Sequence, residues 1–289
     1  MKVLKKPFEE MGEYPEILKQ LGRGGAHVAL GGCVDSQKMH MVYGLSEGFR
    51  NRIIVTYSDI RAREICEDLK FYDRNTCLYP ARDLIFYQAD IHGNRLTMER
   101  MKVLRRMLEG APVTVVTTFA TLMAYQTPVS VLKQGIVSIR KGKAAPPELA
   151  SCLTAAGYEK VYQVEGPGQF AVRGGIFDIF DLTEDNPYRV ELWGDEVESV
   201  RSFDVLSQRS IENLEGVDIY PATELVLFEE NLQQGIAAIE KDGRQVEKAL
   251  REEFRTEEAH RISTQVSQLR EQVREYRSLV NLESYIRYF

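Results

Sequence analysis

The sequence predicts an α/β protein. A parallel-sheet domain of the nucleotide-binding kind comes first, then a small α+β domain, then a helical segment. Three observations carry this. Short β-branched runs alternate with amphipathic stretches up to residue 127, the pattern of strands joined by crossover helices. Between 128 and 212 the apolar residues alternate with period two and are separated by glycine turns. From Thr223 the pattern turns helical, with apolar residues at 4-3 spacing. The expected domains are therefore 1–127, 128–212 and 213–289.

In the first part, residues 8–22 read as a short helix with Phe8, Met11, Ile17, Leu18 and Leu21 on its apolar side. His27-Val28-Ala29-Leu30 reads as a first strand ending at Gly31-Gly32, followed by a helix to about Phe49. Ile53-Ile54-Val55-Thr56-Tyr57 has the composition of a buried strand. Asp59 is placed to cap the next helix, which carries Ile60, Ile65, Leu69 and Tyr72. Cys77-Leu78-Tyr79 and Val113-Thr114-Val115-Val116-Thr117 are further strands, with an amphipathic helix over 96–108 between them.

In the second part, 136–140 and 161–164 are short strand candidates, with one helix near 147–156. Residues 170–172, 176–180, 188–193 and 197–203 are stronger ones, and Gly174-Gly175 and Asp185-Asn186-Pro187 supply turns. In the third, Ile262, Val266, Leu269, Val273, Tyr276 and Val280 form a narrow apolar seam, and Gly243 is expected to break the helix before it. The chain's apolar end at Tyr288-Phe289 reads as a cut within a larger protein.

With 44% apolar and 28% charged residues the chain can bury an ordinary core. No apolar run is long enough to span a bilayer, and no secretion signal follows the basic start, so no membrane partner and a cytoplasmic location are expected. The four cysteines are scattered without metal spacing, which suits a reducing compartment. The net charge of −6 is uneven. Residues 1–127 hold 18 Lys and Arg against 15 Asp and Glu, 128–212 hold 9 against 13, and 213–289 hold 10 against 15. Phosphate binding needs clustered positive charge, so only the first part offers it, and weakly.

Gly31-Gly32-Cys33-Val34-Asp35-Ser36-Gln37-Lys38 stands where an α/β nucleotide-binding domain places its phosphate loop. A working loop needs a second glycine, a lysine for the β/γ oxygens and a hydroxyl for magnesium. Ser36, Gln37 and Lys38 occupy those three positions, and Asp35 adds a negative charge. Gly31, Ser36, Gln37 and Lys38 therefore mark a degenerate loop, and an ordinary strand-to-helix turn is the preferred reading. Arg95, Arg100, Lys102, Arg105 and Arg106 fall on one expected helix, where a solvated face is favoured over phosphate contact. His27, His40, His92 and His260 lack ligand spacing, Asp195-Glu196 reads as a turn, and no nucleophile–base arrangement stands out, so no catalytic or metal-binding residue is expected.

Tyr79-Pro80-Ala81-Arg82-Asp83, Arg95-Leu96 and residues 115–123 resemble the first domain of the bacterial transcription-repair coupling factors (Mfd). Their N-terminal segment is itself similar to the excision-repair protein UvrB. The most specific stretch is Gly166-Pro167-Gly168-Gln169-Phe170-Ala171-Val172-Arg173-Gly174-Gly175-Ile176-Phe177-Asp178-Ile179-Phe180. It resembles the hairpin of the second domain shared by Mfd and UvrB. Residues 187–198, 201–204, 219–222 and 281–286 continue the likeness.

The resemblance implies a UvrB domain 1a-like part, a UvrB domain 2-like insertion and a domain 1b-like return. It implies UvrA as partner, docked on Lys160, Phe170, Arg173, Arg189 and Glu191, with Ala171 standing where the family has a further arginine. Contacts with the rest of Mfd are implied too, with RNA polymerase and DNA met through other domains. The segment itself then needs no cofactor and is not an enzyme, ATP and magnesium serving the motor further along. UvrB inserts an aromatic-rich DNA-clamping hairpin after its third strand. Here 80–94 is short, with only Phe86 and Tyr87, which favours Mfd. The other reading is a nucleotide-dependent DNA-processing segment acting like UvrB. For Arg189 and Glu191 the plain alternative is two solvated residues on one strand face.

Overall fold

The computed structural model describes residues 6–81, 90–124, 126–224, 226, 229–276, 285 and 288. The chain divides into two compact units, Met1–Ala124 and Tyr125–Phe289.

The first unit contains α1 (Lys6–Glu9), α2 (Tyr14–Leu21), α3 (Asp35–Ser46), β1 (Asn51–Thr56), α4 (Asp59–Lys70), β2 (Thr76–Tyr79), α5 (Asp90–Leu108), β3 (Val113–Thr118) and α6 (Phe119–Met123). The strands form a parallel sheet in the order β1-β3-β2. β3 is buried along its whole length because α3 and α4 cover one face and α5 the other. Val116 packs with Met39, Ile65 and Leu69, while Val113 and Val115 pack with Tyr79 and Val103. A continuous β-branched run is what such a two-sided position needs.

Several expectations are corrected here. The expected first strand at His27–Leu30 is irregular: Gly24, Gly25 and Gly32 sit at φ 75°, 67° and 73°, a left-handed backbone that turns the chain out of an extended path on both sides. The stretch 53–57 is an edge strand, with Ile53, Val55 and Tyr57 exposed, since composition cannot distinguish an edge from a centre. The α4 cap is Ser58, whose side chain accepts from the Arg61 N–H, and Asp59 is the first helical residue. The helix expected over 8–22 is two pieces, the second opening with Pro15 in its first turn. Phe86, Tyr87 and the side chain of His92 lie outside the described residues.

The second unit contains α7 (Val129–Gln134), β4 (Val137–Arg140), α8 (Leu149–Ala155), β5 (Glu159–Lys160), β6 (Gln169–Arg173), β7 (Ile176–Phe180), β8 (Tyr188–Trp193), β9 (Glu196–Phe203), β10 (Ser210–Leu214), β11 (Gly216–Ile219), α9 (Glu229–Glu252) and α10 (Thr256–Tyr276). Six strands form one sheet in the order β10-β9-β8-β7-β6-β5, antiparallel except for the β5–β6 pair. Strand pairing runs past residue 212, because β10 spans it and β11 pairs antiparallel with β4. The strand expected at 161–164 is replaced by β5, two residues earlier.

One face of the large sheet carries Phe170, Ile179, Val190 and Val200, and packs on Leu149 and Leu153 of α8 and on Ile139 and Ile219 of the small sheet. Burying side chains of this size stabilises by about 1.5–3 kcal/mol each. Tyr158 donates its hydroxyl to the Tyr220 carbonyl at 2.6 Å, and the buried Asp181 carboxylate accepts the Tyr220 N–H at 3.0 Å. Together they hold the end of β11 to the residues just before β5 and just after β7.

α9 and α10 form an antiparallel pair. Gly243 does not break α9, contrary to its expected effect. A Cβ there would stand 2.7 Å from Val266 Cγ2, so glycine allows the two helices to approach. Leu269 of the expected seam is buried, and Ile262 and Val266 are half-buried. Val280, the side chains of Val273 and Tyr276, and residues 281–284 and 286 of the quoted motif lie outside the described residues. Among the described residues no helix is long and apolar enough to cross a membrane.

Candidate partner-docking face

Strand alternation gives the large sheet a second face, opposite the one on α8. Val190 and Leu192 of β8 point to the core, so Arg189, Glu191 and Trp193 point the other way. Register then sets Asp178 of β7 beside Arg189, with Ala171 of β6 and Arg201 of β9 in the same row. Arg173 comes two residues after Ala171, just before the β6–β7 turn. That turn is two residues long, with Gly174 at φ 62°, the left-handed first position that matches the twist of the strands.

The centre of this face is a single buried carboxylate. Asp178, 1% exposed, accepts Arg189 Nε at 2.6 Å and Nη2 at 2.8 Å, and Arg173 Nη2 at 2.5 Å. A buried charge needs such partners. The hydrogen bond that Arg189 donates to Asp178 is the main cause that raises its guanidinium above the usual range. Arg189 also lies over the Phe203 ring at 4.3 Å and donates to Gln208 Oε1 at 2.9 Å. Glu191 accepts from Arg201 Nη2 at 2.5 Å and from the Ser199 hydroxyl at 2.7 Å. Arg189 and Glu191 thus share a face, as the i, i+2 spacing requires, but they are half-buried and paired with protein groups.

The expected site residues part company. Arg173, Arg189 and Glu191 come together. Phe170 is 0% exposed in the core, one residue out of phase with Arg173, and offers no surface. Lys160 pairs with Phe170 in the β5–β6 register, which sets it on the core-side face of the sheet at its edge strand. Ala171, Phe180 and Phe203 form a buried apolar cluster on the outer face, and Trp193, 80% exposed at the end of β8, is its exposed apolar member. Its spacing of i+4 from Arg189 was a readable signal. Asp178 had one too: a lone acid inside Ile-Phe-Asp-Ile-Phe needs a buried cationic partner.

Residues 31–38, expected to form a degenerate phosphate loop, lie in the first unit. Helix α3 starts at Asp35, and its N-cap Val34 brings no side-chain cap. Lys38 is 3.1 Å from Asp35 Oδ1, and Arg61 is 3.4 Å from Oδ2. The Lys38 hydrogen bond, then Arg61, holds the Asp35 carboxyl below its usual range. Gly31, Ser36 and Gln37 are exposed, and the cation that a shifted loop would need is paired with a carboxylate of its own helix turn.

The solvated face expected for the basic helix is corrected at Arg100. This residue is 2% exposed, donates to the Tyr79 hydroxyl and the Pro80 carbonyl, and lies over the Tyr79 ring at 4.0 Å. Arg105 pairs with Glu109 and Arg95 with Glu99. His40 sits between the Phe8 and Tyr72 rings. Among the described residues no His, Cys, Asp and Glu cluster suits a metal.

Residues 137–225 match the family model of the UvrB interaction domain, a range that contains the whole face. The chain is 31% identical over 286 residues, 98% of its length, to the transcription-repair-coupling factor of Bacillus subtilis. It is 27% identical over 234 residues, 80% of its length, to that of Staphylococcus aureus. It is also 28% identical over 308 residues, 99% of its length, to UvrABC system protein B of Kosmotoga olearia. The chain spans 24% and 20% of the two coupling factors and 46% of the UvrABC protein.

Proposed function

From a chain that resembles the transcription-repair-coupling factors over 98% of its length, we propose a docking module without catalytic activity that binds UvrA and so recruits it to stalled RNA polymerase in nucleotide excision repair. The observation that carries this is the outer sheet face inside the matched range, with Arg173 and Arg189 converging on Asp178 and Trp193 exposed on the same face four residues along β8 from Arg189. Arginine suits such a role because its planar fork stays charged and pairs with carboxylates, and exposed tryptophan is enriched among residues that dominate binding. Arg173 is the more accessible of the two arginines, so it meets the partner's acids most directly.

Support for the non-catalytic part of the reading comes from residues 31–38, where Asp35 takes up Lys38 and the groups that cradle phosphate and magnesium are replaced. ATP and magnesium belong to the motor of the longer protein, and RNA polymerase and DNA to its other domains.

The test is UvrA affinity, by calorimetry, for wild type and Arg173→Glu, with thermal melting as folding control. Asp178 keeps both hydrogen bonds from Arg189 in the variant, so the fold is expected to survive. The variant removes an attraction and adds a repulsion, with an expected loss of about 2–4 kcal/mol. Equal affinity for two folded proteins would refute docking through this face.

A further inference from the structure

The β9–β10 loop, residues 204–209, adjoins the face and has a built conformation. Asp204 Oδ1 accepts the Ser207 N–H at 2.8 Å and the Ser207 hydroxyl at 2.6 Å. The Gln208 N–H donates to the Asp204 carbonyl at 2.8 Å, and the Asp204 N–H to the Arg209 carbonyl at 2.9 Å. Gln208 takes φ 59°, a left-handed conformation costly for a residue with a Cβ, and both its amide nitrogen and its amide oxygen are hydrogen-bonded. Its amide donates to the Val205 carbonyl at 2.8 Å, and its carbonyl accepts Arg189 Nη2 at 2.9 Å. Val205 packs against the small cluster of Ala171, Phe180 and Phe203 on the same side of the sheet.

Against this scaffold stands Leu206, 94% exposed. A loop held by these hydrogen bonds and one strained residue does not let Leu206 fold back onto apolar surface. Singly exposed leucines are common. This one is fixed two residues from Gln208, which is bonded to the arginine at the centre of the face.

We propose that Leu206 is a second apolar contact of the docking face, on the β10 side of the arginines, with Gln208 as the residue that positions its loop. The inference rests on the docking reading above and extends it from a charged strand face to a face with apolar contacts on both sides of the charges. Arg173, Arg189 and Arg201 stand against Asp178, Glu191 and Glu196, the last paired with Trp193 in the β8–β9 register, and Arg173, 41% exposed, is the most accessible of the three arginines. The occupant is therefore a surface of UvrA that carries carboxylates beside an apolar recess wide enough for a leucine. A ring of apolar contact around paired charges excludes water and strengthens them.

The experiment measures binding of purified UvrA to the whole chain for wild type, Leu206→Asp, Leu206→Met and Arg173→Glu, with melting curves for each. Leu206→Asp is expected to weaken binding at least tenfold with unchanged melting, and Leu206→Met to stay within threefold of wild type. Leu206→Asp binding within twofold of wild type, while Arg173→Glu binds far more weakly, overturns this inference and leaves the docking reading standing. Wild type that does not bind, or Arg173→Glu that binds as wild type does, overturns the docking reading and this inference with it.

Discussion

Phe254 shows how much a single residue can be asked to tolerate. It joins α9 to α10 at φ 60°, with its ring 91% exposed. The Arg255 N–H reaches back to the Leu250 carbonyl at 2.9 Å and the Phe254 N–H to the Arg251 carbonyl at 3.1 Å, the pattern of a helix end that ordinarily places glycine in the left-handed position. Phenylalanine pays a steric cost there and gains no burial. Phe254→Gly should therefore raise stability by about 1 kcal/mol, the left-handed penalty of a residue with a Cβ less the extra chain entropy of glycine. Urea denaturation of the two proteins checks this, and a lower midpoint for the glycine variant would mean that the exposed ring is stabilised by a contact of its own. Asp178 is the opposite case, a residue whose cost of burial is offset by three hydrogen bonds from two arginines.

Among elements, α9 and α10 depend on close approach more than on helix propensity. Replacing glycine inside a helix by alanine ordinarily stabilises it by about 1 kcal/mol. At Gly243 the added Cβ would meet Val266 Cγ2 at 2.7 Å, and valine in a helix has one strongly preferred rotamer, so it cannot turn aside cheaply. Gly243→Ala should accordingly lower the melting temperature, and Val266→Ala added to it should recover part of the loss. A single variant that melts higher than wild type would show that the helices separate without cost. The β6–β7 hairpin relies on glycine for another reason. A Cβ on Gly175 would stand 2.8 Å from the Leu192 carbonyl, where β8 comes alongside.

For the molecule as a whole, the distribution of charge and the state of residues 31–38 bear on the same question. The first part carries 18 positive against 15 negative side chains, yet Arg100 is buried and Arg95 and Arg105 are paired with glutamates. Asp35 holds Lys38 at the start of α3 and brings a negative charge to the position where an anion would bind. The chain is accordingly expected to show no heat of binding with magnesium ATP, and only weak, salt-sensitive association with duplex DNA. Micromolar ATP binding in calorimetry would favour the nucleotide-dependent reading over the docking module.

Much was legible in the sequence because it depends on neighbours along the chain. The alternation in 188–193 and 197–203 set those strands, and Gly174-Gly175 set the hairpin turn. Alternation also put Arg189 and Glu191 on one face, and by the same rule Trp193 with them. What alternation cannot say is which face of a sheet meets a core. That depended on α8 and on strands β4 and β11, distant in sequence, and it turned Phe170 inward and Trp193 outward. Long-range pairing likewise buried Arg100 beneath Tyr79, left β1 at an edge despite its buried-strand composition, and made Gly243 a point of contact within a helix. Local periodicity limits each residue to a few roles, and only the packing of distant segments, through desolvation and close approach, selects among them.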